Sequence, residues 1–389
     1  MSSESTEVMI GTAGVVESKL ILSQGISRPI SNGLGGQFKE IPVIDLTALH
    51  SKTATAADLE RLVVDLRDAC SRTGFFVIKN HGVDWSIVEN AFGSVKEFFA
   101  LPMEVKMKVH QSLSPSYMGY EQPYYTNVDR LKKGDLKESM TSAYDPFLDP
   151  AGVKDQMPEL IRRKNLWPDP NDAPTLQPCL EAYRTACLNL VRQLAGLMAK
   201  TIGEQEDFFE KKSTYPIAGI RALYYPPQEA SDEDETGLGA HTDVQLVTMI
   251  AQDPYDASGL EVLNAAGEWI SPKLEPGTFV VNLGDMMGRL TNDFFLSTIH
   301  RVRNKSGQGR YSLPFFFGLN ADELITTLPH FVTAEKPLVE GYDIGMTGYE
   351  HYNRRMQRAH HKHPEATSKL NDRLPPGMTK INGILVNGL

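Results

Sequence analysis

The pattern of hydrophobic and polar positions predicts long helices in the first half of the chain. Apolar residues recur every three or four positions over residues 56–73 and 176–202, which is the spacing of an amphipathic helix with one buried face. Residues 84–100 are predicted to form another helix. Continuous apolar runs at residues 41–46 and 75–78 predict short buried strands.

After residue 215 the period of the pattern changes. Short apolar runs are separated by turn residues every ten or so positions, at 222–225, 246–250, 260–263, 278–283 and 312–317. Many short and evenly spaced strands indicate an antiparallel sandwich or barrel of the jelly-roll type. Residues 304–308 are predicted to form a hairpin loop that pairs position 302 with 310 and position 300 with 312.

The same pattern divides the chain into four segments. Residues 1–38 are rich in Ser, Gly and Thr, and we expect them to be a mobile N-terminal tail. Residues 39–215 are predicted to form an N-terminal α/β region with lid loops and a long support helix, and residues 216–322 the strand-rich core. Residues 323–389 are expected to form a C-terminal tail of helix and loop.

The composition is that of a folded protein. Of 389 residues, 41% are hydrophobic and 23% are charged. The 39 Lys and Arg against 49 Asp and Glu give a net charge of -10, which argues against nucleic acid or an anionic membrane as a partner. Three cysteines argue against a disulfide framework, and there is no apolar run of about 18 residues. We therefore expect a cytoplasmic protein, and no obligate protein partner is evident.

One short motif suggests a metal site. His241-Thr242-Asp243 follows a glycine-rich turn and opens an apolar strand. Because residues i and i+2 of a strand face the same side, His241 and Asp243 can bind one metal ion together. His300, on another predicted strand, is a candidate third ligand, and the alternative for it is an ordinary hydrogen-bonded histidine. Two imidazoles and one carboxylate form the facial triad of non-haem Fe(II) oxygenases, which leaves one face of the octahedron open.

A second group of residues is suited to bind a carboxylate. Arg310 and Ser312 share one face of a predicted strand, and a guanidinium beside a hydroxyl can form bidentate, charge-assisted hydrogen bonds with a buried carboxylate. Tyr225 adds a phenol that could reach the same carboxylate. The alternatives are a surface arginine at a hairpin end for Arg310 and plain core packing for Tyr225.

The order His241-x-Asp243, then His300, then Arg310-x-Ser312 resembles that of the iron(II)- and 2-oxoglutarate-dependent dioxygenases of the isopenicillin N synthase-like branch. The resemblance extends from about residue 40 to about residue 355. Further segments support it, namely Ile41–Leu46, Gly74–Phe76, Asn80–Gly82, Leu101–Lys106, Tyr224–Pro226, Asn282–Asp285, Leu290–Asn292 and Thr347–Glu350.

The resemblance implies a mostly β fold with helical additions, in which a double-stranded β-helix (jelly roll, cupin-like) core is flanked by N-terminal helices. It implies that the His-Asp-His set holds iron(II), and that Arg310, Ser312 and Tyr225 bind 2-oxoglutarate, the cosubstrate used with O2. The implied activity is oxidation of a C–H bond in a small organic molecule, by hydroxylation, desaturation or oxidative rearrangement. A role in secondary metabolism is expected.

The substrate pocket is expected where lid loops meet the core. Phe316 lies six residues after the arginine of the carboxylate site, and therefore on the same strand face and nearer the substrate. Leu223, Tyr125 and Met140 are the other candidates to line this pocket, and packing of the lid is the alternative for the two lid residues. The histidine-rich run at 360–363 is expected in an exposed basic tail.

Two other functions fit the same motifs. An iron-dependent oxidase of this fold would bind a carboxylate of its own substrate at Arg310 and would use no 2-oxoglutarate. A non-catalytic binding protein on a jelly-roll scaffold is the alternative from a different class, because a fold alone does not fix a function. The presence of all three candidate metal ligands favours the enzyme.

Overall fold

The computed structural model describes residues 37–127, 134–153, 164–228, 236–253 and 259–360 with their side chains, except for the side chain of Arg358. It also describes the backbone of six short strands within residues 9–29 and 378–387. The α-helices in these parts of the chain are α1 (Thr47–His50), α2 (Ala56–Arg72), α3 (Trp85–Phe99), α4 (Met103–Met107), α5 (Leu176–Thr201), α6 (Phe208–Lys211), α7 (Asp285–Leu290) and α8 (Gly348–Ala359).

The strands are short and most of them follow residue 215. They are β1 (Met9–Ile10), β2 (Ala13–Val16), β3 (Lys19–Leu22), β4 (Ser27–Pro29), β5 (Val43–Asp45), β6 (Phe75–Lys79), β7 (Gly119–Glu121), β8 (Glu138–Ala143), β9 (Pro216–Tyr225), β10 (Leu238–His241), β11 (Val247–Gln252), β12 (Leu260–Leu263), β13 (Trp269–Ile270), β14 (Phe279–Leu283), β15 (His300–Val302), β16 (Arg310–Asn320), β17 (Leu324–Ile325), β18 (Met346–Thr347), β19 (Met378–Ile381) and β20 (Ile384–Asn387).

The long helices begin and end where the local chemistry favours it. A capping box starts α2, because the Thr55 hydroxyl accepts from the Asp58 N–H and the Asp58 carboxylate accepts from the Thr55 N–H at 2.9 Å. Gly74 follows the end of α2 with a φ of +67°, a left-handed conformation that glycine adopts without strain. The three helices predicted from the apolar spacing are confirmed as α2, α3 and α5.

The predicted strands are also confirmed. The early apolar runs form β5 and β6, and the later ones form β9, β11, β12, β14 and β16. Two of these are longer than predicted, since β9 has 10 residues and β16 has 11. Strand β9 contains Arg221 within its apolar run, and β16 begins with Arg310.

Two sheets form the strand-rich core. The larger contains eight strands in the order β5-β6-β14-β11-β16-β9-β8-β7, and the smaller contains four in the order β10-β15-β12-β13. Pairing is antiparallel throughout these two sheets except between β5 and β6. Residues of both sheets line one cavity, so the sheets face each other across it.

The hairpin predicted at residues 304–308 is wrong. β15 pairs with β10 and β12 in the smaller sheet, whereas β16 pairs with β9 and β11 in the larger one. The connection therefore crosses from one sheet to the other, and Asn304 holds it by donating to the carbonyl of Gln308 at 2.7 Å. His300 and Ser312 do not pair, although both line the cavity between the sheets.

Helices α2, α3 and α5 belong to the hydrophobic core on the outer side of the larger sheet. Side-chain alternation in β9 separates the two sides, because Ala222 packs in the helix-side core and Leu223 in the core between the sheets. Tyr183 of α5 is fully buried and donates to the carbonyl of Leu313 in β16 at 2.6 Å. The helical layer thus supports the strand that holds Arg310.

The division of the chain into four segments stays a prediction, as does the mobility of residues 1–38. The backbone of β1 to β4 forms a small antiparallel sheet within residues 9–29. Strands β5 to β8, from the segment predicted as an N-terminal α/β region, join the same sheet as core strands. None of the helices described is long and apolar enough to cross a membrane.

Candidate active site

Two histidines and one aspartate meet at one end of the cavity. His241 ends β10, His300 begins β15, and these two residues are direct partners in the antiparallel pair. Asp243 follows two residues after His241, and its Oδ1 lies 3.7 Å from His241 Nε2 and 3.9 Å from His300 Nε2. One ligand atom from each of the three residues lies within 4.8 Å of the others. The structure therefore brings together the three residues that the sequence proposed as a metal site.

Hydrogen bonds orient the two imidazoles. His241 Nδ1 lies 2.9 Å from the carbonyl oxygen of Gly239, and His300 Nδ1 lies 3.1 Å from that of Thr298. A carbonyl only accepts, so each Nδ1 donates its proton, and each Nε2 keeps its lone pair for a metal. The pattern is local to each strand, since each histidine bonds the residue two positions before it.

The carboxylate of Asp243 is oriented from the opposite side. Its Oδ2 accepts from the Thr248 hydroxyl at 2.5 Å and from the Asn282 amide at 2.7 Å. These bonds leave Oδ1 directed toward the two Nε2 atoms. Two imidazole nitrogens and one carboxylate oxygen grouped in this way fit Fe(II), and the open side of the set faces the cavity.

The electrostatics of the cluster favour the protonation states that bind a metal. Burial lowers the pKa of His241 to about 3, so its imidazole is neutral at pH 7. Burial alone would raise the pKa of Asp243, but the imidazoles of His300 and His241 and the hydrogen bonds from Asn282 and Thr248 hold it below its usual range. Metal binding therefore requires no proton to leave Asp243 near neutral pH.

The three candidate carboxylate-binding residues lie together further along the cavity wall. Arg310 in β16 is directly paired with Tyr225 in β9, and its guanidinium carbon lies 5.0 Å from the centre of the Tyr225 ring. Its Nη2 donates to Gln252 Oε1 at 2.7 Å. Ser312 shares the face of Arg310, and all three predicted residues are buried and line the cavity. A buried cation beside a hydroxyl and a phenol is suited to a carboxylate.

The four candidate substrate-lining residues divide into two pairs. Leu223 and Phe316 line the cavity on β9 and β16. Met140 and Tyr125 lie away from it, contrary to expectation. Met140 packs in the helix-side core, because alternation in β8 turns its neighbour Thr141 toward the cavity instead. The ring of Tyr125 packs edge-on against that of His110, with centroids 4.8 Å apart.

A buried cluster of charges behind the cavity wall was not predicted. The carboxylate of Glu121 in β7 accepts from Lys137 Nζ at 2.7 Å and from the Thr126 hydroxyl at its Oε1. Its Oε2 accepts from the Ser139 hydroxyl at 3.0 Å and from Arg221 Nη2. Lys137 and Arg221 also line the cavity.

The sequence does hold a signal for some of these residues. Arg221 lies between apolar residues in β9, and Asn282 lies in the otherwise apolar β14. A charged or amide group in a buried strand must find a partner, so it marks a place where the fold supplies one. Glu121 and Lys137 lie in a stretch without periodicity and give no comparable signal.

The C-terminal helix α8 closes one side of the cavity. Tyr352, Arg355 and Met356 line it. Arg355 forms an ion pair with Asp285 and donates to the Thr242 hydroxyl at 3.1 Å. Because Thr242 lies between two of the candidate metal ligands, this contact fixes α8 directly to the metal-binding segment.

His360 follows α8 and was expected in an exposed tail, which is wrong. The residue is 3% exposed, lines the cavity, and its ring lies 5.0 Å from that of Tyr117. Burial lowers its pKa to about 3. The exposed-tail prediction failed because α8 folds back over the cavity, which the histidine-rich sequence does not indicate. Residues 361–363 lie outside the described residues.

Two protein-family models match the chain. Residues 41–170 match a model described as the non-haem dioxygenase in morphine synthesis N-terminal region. Residues 216–319 match the 2OG-Fe(II) oxygenase superfamily. The second match contains all the candidate metal and 2-oxoglutarate residues.

Individual proteins resemble the chain over most of its length. The 2-oxoglutarate-Fe(II) type oxidoreductase ppzC of Metarhizium majus is 35% identical over 73% of this chain and 79% of its own length. The 2-oxoglutarate-Fe(II) type oxidoreductase hxnY of Emericella nidulans is 35% identical over 76% of this chain and 84% of its own.

A solved structure with a similar fold is that of a 2OG-Fe(II) oxygenase family protein from Caulobacter crescentus. Its TM-score is 0.69 at 28% identity, and the match covers 82% of this chain and 99% of that chain. The likeness confirms the predicted fold class, a mostly β protein with helical additions around a double-stranded β-helix core.

Proposed function

This chain belongs to the 2OG-Fe(II) oxygenase superfamily, and we propose that His241, Asp243 and His300 hold its iron(II). The protein is a 2-oxoglutarate- and iron(II)-dependent dioxygenase that uses O2 and acts on small molecules. The observation that supports the assignment best is the convergence of one ligand atom from each of the three residues within 4.8 Å, with each side chain oriented by its own hydrogen bonds.

The proposal assigns Arg310, Ser312 and Tyr225 to the distal carboxylate of 2-oxoglutarate. All three residues lie on the cavity wall that also holds the metal cluster, and Arg310 is 1% exposed. A guanidinium in such a dry position binds a carboxylate strongly, because little water competes for its hydrogen bonds. Gln252 supports the assignment, since its carbonyl oxygen holds one end of the guanidinium in place.

The residues of the chain perform three tasks in the proposed reaction. Iron(II), when bound, supplies the oxidation of a substrate C–H bond at the expense of O2 and 2-oxoglutarate. Thr248 and Asn282 hold the carboxylate of Asp243 so that only one oxygen faces the metal position. Helix α8 and the apolar walls of the cavity exclude water from that position, so that one substrate C–H bond can be presented to it.

The finer parts of the proposal concern the biological setting. The substrate is a small organic molecule of secondary metabolism that is hydroxylated, desaturated or rearranged, and the position of the cavity under α8 supports a small molecule over a macromolecule. The enzyme acts in the cytoplasm without nucleic acid, membrane or an obligate protein partner. Cys70, Cys179 and Cys187 are free thiols, which supports a reducing compartment. Microscopy of the tagged protein tests the location.

The assignment is tested by anaerobic reconstitution. Wild-type protein should bind one iron(II) per chain and then 2-oxoglutarate, with the charge-transfer absorption band of the Fe(II)–2-oxoglutarate complex. His300→Ala should remain folded, because the scaffold has its own core, and should lose the band and all turnover. The matched control is His50→Ala, which removes an exposed histidine. Stoichiometric iron and near-normal turnover in His300→Ala would refute the ligand set.

Release of succinate and CO2 separates this enzyme from an oxidase of the same fold. We expect both products in stoichiometric amounts with the oxidised substrate. Substrate oxidation without succinate would reject the assignment of Arg310 to 2-oxoglutarate while leaving the metal ligands intact.

A further inference from the structure

The cavity wall has an uneven distribution of charge. Among the described residues that line it, four are lysine or arginine and one has a carboxylate, Asp243. The cations are Lys137, Arg221, Arg310 and Arg355. Arg310 is assigned to 2-oxoglutarate, and Arg355 is paired with Asp285. The proposed function therefore leaves two cations on the wall without a role, Lys137 and Arg221.

The hydrogen bonds of Arg221 use one edge of its guanidinium. Nε donates to the Ser139 hydroxyl at 3.2 Å, and Nη2 donates to Glu121. These two nitrogens form the side edge of the group, so within the described part of the chain the end edge, with one hydrogen of Nη1 and the second hydrogen of Nη2, remains available. The side chain is 20% exposed, and Arg221 lines the cavity. The end edge is a planar fork of the kind that binds a carboxylate with two hydrogen bonds.

Lys137 is less suited than Arg221 to bind a carboxylate in the cavity. Its side chain is completely buried, and its Nζ donates to Glu121 at 2.7 Å and to the Thr126 hydroxyl at 2.8 Å. These bonds use two of its three donors, and a point charge lacks the directional fork of a guanidinium. Lys137 therefore holds the position of Glu121, which in turn fixes the side edge of Arg221.

The cluster is not suited to a cationic substrate. Each oxygen of Glu121 already accepts from two donors, and the residue is 1% exposed. Binding an ammonium or a guanidinium there would require breaking one of these bonds. The neighbouring carboxylate, Asp135, is 2% exposed and accepts from the N–H of Gly239 at 3.1 Å.

The two arginines are too far apart to serve one 2-oxoglutarate molecule. Arg310 pairs with Tyr225, and Arg221 lies four residues before Tyr225 on the same face of β9. At a rise of about 3.3 Å per residue this corresponds to roughly 13 Å along the strand. The five-carbon chain of 2-oxoglutarate does not span this distance while it also reaches the metal.

We infer that Arg221 binds a carboxylate of the organic substrate, in a subsite separate from that of 2-oxoglutarate. The inference rests on the proposed function and names the substrate class: a small monocarboxylic acid. Leu223 and Phe316 provide apolar surface beside the subsite. Tyr117 and Met356, a residue of α8, add apolar surface to the same cavity. The carboxylate lies at Arg221, and the hydrocarbon part extends along these side chains toward the metal cluster.

The experiment uses the iron-loaded full-length enzyme with 2-oxoglutarate bound, under anaerobic conditions. 2-Oxoglutarate is titrated first by calorimetry, which fills the Arg310 site. A panel of aliphatic and phenyl-substituted monocarboxylates of four to about ten carbons, with their primary amides, is then titrated by the same method. The variants are Arg221→Met, which removes the fork, and Arg221→Lys, which keeps the charge. The matched control is Arg192→Met, because Arg192 pairs with the buried Asp149 and its side chain is 19% exposed.

We expect at least one acid to bind the wild-type holoenzyme more tightly than its amide does. Its affinity should fall at least tenfold in Arg221→Met, recover in part in Arg221→Lys, and remain unchanged in Arg192→Met. The affinity for 2-oxoglutarate should be the same in all four proteins. Equal affinity of the acid for wild type and Arg221→Met would overturn the inference, as would amides that bind as tightly as acids or a panel in which no acid binds.

Failure of the proposed function would look different. Wild-type protein would then bind no 2-oxoglutarate in the first titration, before any probe is added. A normal first titration followed by any of the three negative results above overturns only the role of Arg221.

Discussion

The two ends of the cavity wall are built in different ways. At the metal end, His241 and His300 lie on neighbouring strands, Asp243 follows two residues after His241, and each imidazole is oriented by a backbone carbonyl two residues away. At the other end, Glu121, Lys137, Arg221 and His360 come from β7, the segment before β8, β9 and the end of α8. Those residues span about 240 positions of the chain and meet only in the folded protein.

This difference determines how each end depends on the rest of the fold. The metal end needs only the correct pairing of β10 with β15 and the two polar contacts to Asp243. The other end needs β7, β8, β9 and α8 to dock in register, because its charges are satisfied by one another. Changes at the metal end should therefore affect chemistry without loss of folding, whereas changes at the other end should affect both.

The largest effect is expected at Arg310. Arg310→Gln removes the buried charge that we assign to the distal carboxylate of 2-oxoglutarate, and breaking such a pair costs about 3–5 kcal/mol. The affinity for 2-oxoglutarate should fall by roughly two to three orders of magnitude or more. Arg310→Lys should recover part of it, because an ammonium lacks the planar fork. Iron affinity should change little. Titrations of iron(II) and of 2-oxoglutarate, monitored by the charge-transfer band, measure the two affinities. Arg192→Gln is the control.

Unchanged 2-oxoglutarate affinity in Arg310→Gln would refute the assignment of Arg310 to the distal carboxylate of 2-oxoglutarate. If the variant instead weakened binding of the organic substrate, the oxidase that uses no 2-oxoglutarate would become the better description of the site.

The same contrast explains what the sequence could predict. Arg310 and Ser312 could be identified because a strand places positions i and i+2 on one face. The same spacing singled out His241 and Asp243, although β10 ends at His241 and Asp243 lies just beyond it. The pairing of residues 300 and 312 was predicted wrongly, because the local sequence of a turn does not reveal that the chain crosses to another sheet. The helices and most strands follow from apolar spacing, which depends on local sequence.

The arrangement of residues at the other end of the cavity could not be predicted from local sequence. Met140 and Thr141 differ by one position, and only the register of β8 against β9 decides which faces the cavity. His360 is buried because α8 is fixed by Arg355 to Asp285, a contact between residues 70 positions apart. Arg221 and Asn282 could be recognised as unusual in apolar strands, but their partners could not be named from the sequence.

A second prediction tests whether α8 can be released without damage to the metal end. Arg355→Met removes one ion-pair partner of Asp285, whose side chain is 9% exposed. The free energy of unfolding should fall by about 3 kcal/mol, as for other broken buried pairs. Hydrogen exchange should increase mainly in α8. The measurements are denaturant unfolding and amide exchange, and equal protection of α8 in both proteins would contradict the tether.

A third prediction concerns the contacts that orient Asp243. Asn282→Ala removes a 2.7 Å hydrogen bond to Oδ2 and leaves the three proposed metal ligands in place. Loss of such a supporting contact typically lowers metal affinity by about 10- to 100-fold. Competitive titration of iron(II) against a chelator measures the change, with Asn264→Ala as a control because Asn264 is a buried asparagine that bonds Phe38 and Glu268 instead. Equal affinity in Asn282→Ala and wild type would show that Thr248 alone orients the carboxylate.

The smallest effect is expected from the titration of His360, at the end of the cavity that also holds Lys137 and Arg221. Burial lowers the pKa of His360 from 6.5 to about 3, while Glu121 opposes the shift and Arg221 and Lys137 add to it. The unfolded chain therefore binds more protons than the folded one between these values, so stability is complete above pH 6.5 and falls as the pH decreases. At pH 5.5 the loss from this group is about 1.4 kcal/mol relative to pH 7.5. His360→Phe keeps a ring against Tyr117 but cannot bind a proton. Between pH 7.5 and pH 5.5 the variant should therefore lose less stability than wild type, by the contribution of this one group. Denaturant unfolding of both proteins at the two pH values measures the difference. An identical pH dependence in the two proteins would mean that His360 can bind a proton in the folded protein. Water would then reach the part of the cavity around His360.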